Sequence, residues 1–405
     1  MQRIRYLTTA LLGALALATA ATGAQSATPG VGSTEIVIGG TVPLTLVGSE
    51  YETIALGAAA YFRYVNDHGG VNKRKIKYLI RDDRSDPVQT TEKTRQLVEQ
   101  DHVFAIFNSL GTDQNLATRS YLNGLKVPQL FVASAATTWG NDYKQWPWTI
   151  GYQPSYVAEG TIYGRYVART SPNARVGVLY ENDDYGKALL AGLRNGLGNK
   201  ARLIVSKQSY EVTDDQLQSQ IARLKAARVG TLMLFATPKF AIQAYVLARK
   251  VGWRPKVFVN GVSSAPSTMG LATSAAQSRR QTEGSISIVF LKDPTEPRWA
   301  TDPGMKLYRS ILTRYRGVNP NDVYSVYGMS VAHTFVEALK RAGKSPTRAG
   351  IMRAATHLNI RNDPFLLPGV VVQTTPTDHF PLDQARLERY HDGHWVSFGG
   401  LFRVR

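Results

Sequence analysis

The chain has 405 residues, a formal charge of +18 and no cysteine. Disulfide-stapled folds and sulfur-ligated metal sites are excluded with the cysteines, and 43% hydrophobic content excludes a disordered chain. At about 100–200 residues per domain the length allows two or three units, and beyond the N-terminus no apolar run approaches the ~18 residues of a membrane span.

The first residues read as an export signal. Arg3 and Arg5 precede an uncharged run from Tyr6 to Ala21, and small residues follow at Ala24-Gln25-Ser26-Ala27. A basic start, an apolar core and a small-residue cleavage site predict a secretory signal over residues 1–26, removed on export. Without a cysteine the mature chain is not a lipoprotein, so a periplasmic or envelope-associated protein is expected. The densest basic cluster, Lys73-Arg74-Lys75, lies between the Gly69-Gly70 turn and a strand, an ordinary solvated edge. Nucleic-acid binders concentrate their charge in larger patches, so no nucleic-acid partner is expected.

Apolar runs then alternate with helical patterns. Ile36–Ile38 reads as a strand, and Ala55, Ala59 and Phe62 fall on one helical face. Tyr78–Ile80 is a strand, a polar helix follows Pro87, and Val103–Phe107 is a strand. A helix from about Asp113 leads to the strand Leu130–Ala133. Strands apolar on both faces and alternating with helices indicate a parallel sheet covered on both sides. From Thr138 to Ser155, aromatic residues interrupted by Pro147 and Pro154 read as a crossing between lobes. The pattern restarts with strands at Val176–Tyr180, around Ile204, at Thr231–Ala236 and at Val257–Val259. Helices begin at Tyr185 and follow Leu217-Ile221-Leu224 and Phe240-Ala244-Leu247-Val251. The last third holds a strand at Ile286–Phe290, a long helix at about Val323–Arg341, and a hairpin over Leu387–Phe398 turning at Asp392-Gly393. It lacks a third set of units, so it should complete the two lobes. The expected division is 34–150 with about 288–375 in lobe 1, and 155–286 with about 383–405 in lobe 2.

The sequence carries no nucleophile elbow, no phosphate-cradling Gly-x-x-x-x-Gly-Lys loop and no His-Glu-x-x-His. His391 and His394 flank a turn without a third ligand, and Asp82, Asp83 and Asp86 do not keep calcium-loop spacing. No enzyme, metal or cofactor is expected. The ends of two strands are more informative: Asn108-Ser109-Leu110-Gly111-Thr112 and Ser134-Ala135-Ala136-Thr137. Ligands of open α/β sheets bind beyond the carboxyl ends of the strands. Small side chains there admit a ligand to the backbone, and the helix after Thr112 would favour an anion. The alternative is that Thr112 and Asp113 only cap their own helix.

These features together resemble the type I periplasmic solute-binding proteins of ABC importers, the leucine/isoleucine/valine-binding group. The stretches carrying the likeness include IVIGGTVPLT, GAAAYFRYVNDHGGVNKRKIKYLIRDDRSDP, LVEQDHVFAIFNSLGT, VPQLFVASAAT, VGVLYENDDYGKALLAGL, LKAARVGTLMLFATP and LLPGVVVQTTPTDHFPL. The resemblance implies two Rossmann-like lobes with parallel sheets, joined by three hinge crossings and closing like a clam shell. It implies a monomer that captures a small carboxylate ligand, an amino acid or aromatic acid, for ABC permease subunits. Carried over residue by residue, it places Thr112, or Gly111 through its backbone, and Thr137 of the Ala135-Ala136-Thr137 run on the ligand carboxylate. Ala135 would offer its carbonyl to an ammonium, Tyr185 would close over the ligand, and Asn115 would lie on the rim. The place of the family's second-lobe acid is matched by Thr213, with Asp214 and Asp215 displaced. If that match holds, the ligand lacks an ammonium, as a hydrophobic or aromatic carboxylate does. A sensor of the same fold and a secreted α/β hydrolase are the competing functions.

Overall fold

A computed structural model describes residues 28–45, 51–315 and 317–403; the expected export signal falls outside them. The first lobe is built on β1 (Glu35–Val42), β2 (Lys75–Asp82), β3 (Ile106–Phe107), β4 (Gln129–Val132) and β5 (Thr149–Gly151). They form a parallel sheet in the order β2-β1-β3-β4-β5. The intervening helices are α1 (Glu52–Asp67), α2 (Pro87–Arg95), α3 (Thr112–Gly124) and the single turn α4 (Thr138–Asn141). Asp86 fixes the start of α2, its side chain accepting from the backbone of Val88 at 2.7 Å while Pro87 occupies the first turn.

The chain crosses to the second lobe through α5 (Tyr156–Thr170). There β6 (Val176–Glu181), α6 (Asp184–Leu197), β7 (Ile204–Tyr210), α7 (Gln218–Ala226), β8 (Thr231–Phe235), α8 (Pro238–Lys250) and β9 (Lys256–Val259) repeat the alternation. Next come α9 (Pro266–Ala275), α10 (Arg279–Thr282) and β10 (Ile286–Val289). After β10 the chain returns, and α11 (Pro303–Arg314), α12 (Val323–Ala342) and α13 (Arg348–Ala355) pack into the apolar core of the first lobe. A short ladder of β11 (Asn359–Ile360) and β12 (Val372–Gln373) precedes a third passage. The chain ends in β13 (Gln384–His391) and β14 (His394–Arg403), giving a second sheet ordered β14-β13-β10-β9-β8-β6-β7. Two α/β lobes are thus joined three times, after β5, after β10 and before β13.

The C-terminal hairpin forms where its turn chemistry places it. Asp392 and Gly393 both take positive φ, 47° and 87°, the conformation a two-residue turn needs to match strand twist. β13 lies antiparallel on β10, with Ser287 opposite Glu388, so this hairpin brings two C-terminal side chains to the lobe interface. The basic cluster is put to structural use: Arg74 donates to the carbonyls of Gly32 and Lys344 at 2.7 Å each.

Three elements differ from the sequence reading. The aromatic stretch 138–155 is not only a crossing, because Thr149–Gly151 is the fifth strand of the first sheet and Trp139 packs over its Gly151. Val103–Phe107 holds only a two-residue strand. The helix α5 is absent from the periodicity reading: nine of its residues, Glu159 and two glycines among them, are buried, while Arg165, Arg169 and Thr170 at its C-terminal end are exposed.

Candidate functional site

The carboxyl ends of the two sheets face each other across a cleft, the position where open α/β sheets bind ligands. From the first lobe, the segments after β2, β3, β4 and β5 contribute Ser85 and Pro87, Leu110 to Gln114, Ala133 and Ala135, and Gln153 and Pro154. The second lobe contributes the ends of β6, β8, β9 and β10, with Glu181, Thr237, Gly261 and Ile288. The cleft encloses about 1560 Å³ of space, part of it open solvent. The lobes meet across it, Tyr324 Oη of the first lobe donating to the carbonyl of Val262 in the second at 2.9 Å.

The first-lobe wall is a helix start. Gly111 takes φ 102° at the entry to α3, which no side chain caps. The first backbone N–H groups of α3 therefore face the cleft without a capping oxygen, an arrangement suited to an anion. Thr112 lines the cleft but its Oγ1 pairs with Ser134 Oγ at 2.8 Å. Ala135 lines it too, and its carbonyl already accepts from the backbone of Tyr156 at 2.8 Å.

The second-lobe wall is acidic. Glu181, at the end of β6, is 7% exposed and accepts from Tyr210 Oη at 2.7 Å and Thr237 Oγ1 at 3.3 Å. Burial, then the neighbouring Asp183, pushes its carboxyl from the ordinary 4.5 to about 7. Asp183 caps α6 through the backbone of Gly186; burial, partly offset by that N–H and reinforced by Asp113 across the cleft, raises it to about 6. Glu159, on α5, accepts from the Gly261 backbone and from Tyr163 Oη, both at 2.7 Å, and burial raises it to about 7. Further along, Glu388 and Asp293 line the same cleft, and burial raises both. With Asp113 these make six carboxylates, and among the described residues no Lys, Arg or His lines the cleft. Aromatic rings of Tyr51, Tyr156, Tyr185, Tyr324, Tyr327 and Trp395 supply much of the remaining surface.

The structure places the sequence-predicted residues unevenly. Gly111, Thr112, Ala135 and Tyr185 come together on the cleft. Tyr185 is 4% exposed and its hydroxyl has no hydrogen-bond partner. Asn115 is fully buried behind the α3 start, donating to the carbonyls of Ser109 and Gly111 and accepting from Gln129. Ala136 and Thr137 enter α4 away from the cleft lining, and Thr137 uses its carbonyl to start that turn. Thr213 is exposed in the loop between β7 and α7, where Asp214 accepts from the backbone of Glu211; only Val212 of this loop reaches the cleft. The acids that do face the cleft, Glu159, Glu181, Asp293 and Glu388, were not singled out by sequence reasoning. Glu181 had a signal, since it ends a recognised strand, as Asn108 does in the first lobe.

The periplasmic binding protein family profile matches residues 35–393. A curated relative, Leu/Ile/Val-binding protein homolog 7 of Brucella abortus, is 24% identical over 328 residues, 78% of this chain and 79% of its own. Among solved structures, a substrate-binding periplasmic protein from Ralstonia solanacearum superposes with a TM-score of 0.78 at 22% identity, covering 90% of this chain and 100% of that one. A branched-chain amino acid ABC transporter protein from Thermus thermophilus with bound valine gives a TM-score of 0.79 at 18% identity, covering 92% and 98%.

Proposed function

The chain belongs to the periplasmic binding protein family, and we propose that within it this protein is the extracytoplasmic, non-enzymatic solute-binding component of an ABC importer. It captures a small amino-bearing carboxylate between its lobes and hands it, as a monomer, to permease subunits in the membrane. Among the described residues no helix is long and apolar enough to cross a membrane, which leaves that passage to a partner. Export depends on the signal at residues 1–26.

The observation that carries this reading is the polarity of the cleft. The uncapped start of α3 faces the carboxylates of Glu181 and Asp183, so a zwitterion fits with its carboxylate on the helix and its ammonium on the acids. Thr213 lies outside the cleft lining, whereas six acids and, among the described residues, no Lys, Arg or His line it, which favours a ligand that brings an amine over one that is only an anion. Hinge closure of the two lobes would bury the ligand between them.

A binding panel tests it. Leucine, phenylalanine and norleucine should each raise the melting temperature of the mature protein, by mass action on the folded state. Their des-amino acids should raise it far less, with affinities at least tenfold weaker. Equal shifts from 4-methylpentanoate and leucine would show that the acids take no part in binding.

A further inference from the structure

The second lobe separates its charges by end. From Gly160 to Thr282 the sequence carries 18 Lys and Arg against six acids, and from Gln216 to Thr282 it carries no acid at all. The six are Glu181, Asp183 and Asp184 at the end of β6, and Glu211, Asp214 and Asp215 after β7. All stand at the carboxyl ends of strands, where the cleft lies. Strands β6 to β10 run parallel, so the chain returns through its helices to their opposite, amino ends. There every strand is entered past an exposed arginine: Arg175 precedes β6, Arg202 β7, Arg228 β8, Arg254 β9 and Arg280 β10. Helix α8 adds Arg249 and Lys250 in its last turn. These cations are scattered in sequence, and the parallel topology gathers them on one face.

Helix termini account for part of this charge. A cation is favoured at the C-terminal end of a helix, and Arg175 donates to the carbonyls of Ala227 and Arg228 at 2.7 and 3.2 Å, as Lys200 does to that of Ala168 at 2.8 Å. Acids do not account for the rest. Among the described residues the ion pairs at this end are confined to the hairpin turn, where Asp392 meets Arg279 at 4.0 Å and Glu283 meets His391. Arg202, Arg249, Lys250 and Arg254 are exposed and have no such partner among the described residues. Burial, then the neighbouring Arg389, holds the Lys256 ammonium below its usual range, as expected where cations crowd without an acid.

From β10 to β7 the sheet takes four steps, roughly 19 Å at about 4.8 Å each, so the charge covers a broad face. Val205 and Val251 lie on it, 38% and 36% exposed. Its rings are covered: Trp253 is buried and donates to the Val229 carbonyl, and Lys256 Nζ stands 5.2 Å from the Tyr166 centroid. Bases of a nucleic acid would find no stacking platform there. We infer that this end of the second lobe docks on the anionic headgroups of a lipid bilayer. Exposed cations with aliphatic side chains between them match a charged interface, each basic residue near it adding to the binding. In that pose the cleft, at the other ends of the same strands, stays clear of the headgroups. The inference goes beyond solute capture and takes from that reading only the location outside the cytoplasmic membrane.

The test is co-sedimentation of the mature protein with vesicles of phosphatidylcholine alone and of phosphatidylcholine with about one-third phosphatidylglycerol. Binding is expected to the anionic vesicles only, and about 0.5 M salt should release it, because screening then acts within a few ångström. The triple variant Arg249→Gln, Lys250→Gln, Arg254→Gln should weaken that binding roughly tenfold or more. Lys73→Gln, Lys75→Gln, Lys77→Gln removes the same charge from the first lobe and should leave most of it. All six side chains are exposed, so both variants should melt with the parent, which a thermal scan establishes first. Equal weakening by the two variants would show that net charge binds rather than this face, and would overturn the inference. So would a failure to bind anionic vesicles, whether or not the protein binds soluble polyphosphate. The amino-acid panel is read without vesicles, so either reading can fail while the other stands.

Discussion

Gly192→Ala should lower the melting temperature by about 5–10 °C, and Gly160→Leu with Gly192→Leu should prevent the second lobe from folding. Helices α5 and α6 touch along glycines of both: a Cβ on Gly160 would come within 2.2 Å of the carbonyl oxygen of Leu189, and one on Gly192 within 2.2 Å of that of Val157. The pattern repeats one turn on, where Gly164 meets the backbone of Leu193 and Gly196 that of Thr161. Since the obstructing atoms are backbone, no side chain can swing aside, and the helices must separate. Overpacking of this kind costs about 1–3 kcal/mol for one methyl group, and ~2–4 °C accompanies each kcal/mol in chains of this size class. Separation would also disturb the site, because Glu159 rides on α5 and Asp183 caps α6. Gly124→Ala is the control: nothing lies within 4 Å of its Cβ position in α3, so stability should hold or rise slightly. Urea unfolding of the three proteins measures the difference, and equal midpoints for Gly192→Ala and the parent would show that the helices can part freely.

The same helices show where sequence reading stops. Strand ends were legible in the first lobe, where small residues after β3 and β4 marked Gly111, Thr112 and Ala135, all of which line the cleft. The rule reaches Glu181 equally well once β6 is recognised. Thr137 belongs to the same run as Ala135, but the chain turns into α4 between them, and a one-turn helix leaves no periodic trace. Glu159 was hidden because it is a charged residue on the buried face of α5, among Gly160, Ile162 and Tyr163, where the apolar pattern of a helix gives no reason to place an acid. Glu388 was hidden for a different reason. The hairpin could be read from Asp392-Gly393, but its antiparallel register on β10, and hence the side of the sheet facing the cleft, is set by pairing over about a hundred residues. Alternation places Glu388 and its neighbours on opposite faces of the hairpin without saying which face meets the cleft.

Stability of the empty protein should fall as pH rises from 5 to 8, the reverse of the usual behaviour of paired carboxylates. Glu159 and Glu181 titrate near 4.5 when unfolded and at about 7 when folded, chiefly because burial disfavours their charge. Over that interval the folded protein holds protons that the unfolded chain has released. Their contribution is complete below about pH 4.5 and is lost as pH passes through 7. At about 1.4 kcal/mol per pKa unit, each group accounts for on the order of 3 kcal/mol. His379, kept neutral by burial, slopes the other way, and His391, raised by Glu283, slopes with the glutamates. Comparison with variants separates these contributions. In Glu159→Gln and Glu181→Gln the amide oxygen can still accept from Gly261 and Tyr210, so each should flatten the melting profile between pH 5 and 8 by its own share, and the double variant by both. A cationic ligand reverses the argument: placed beside Glu181 it favours the ionised carboxylate, so binding should release protons and tighten between pH 6 and 8. Calorimetry in buffers of different ionisation enthalpy counts those protons. An affinity that is constant with pH, with no proton released, would mean that the acids of the cleft are already ionised and need no counterion from the ligand.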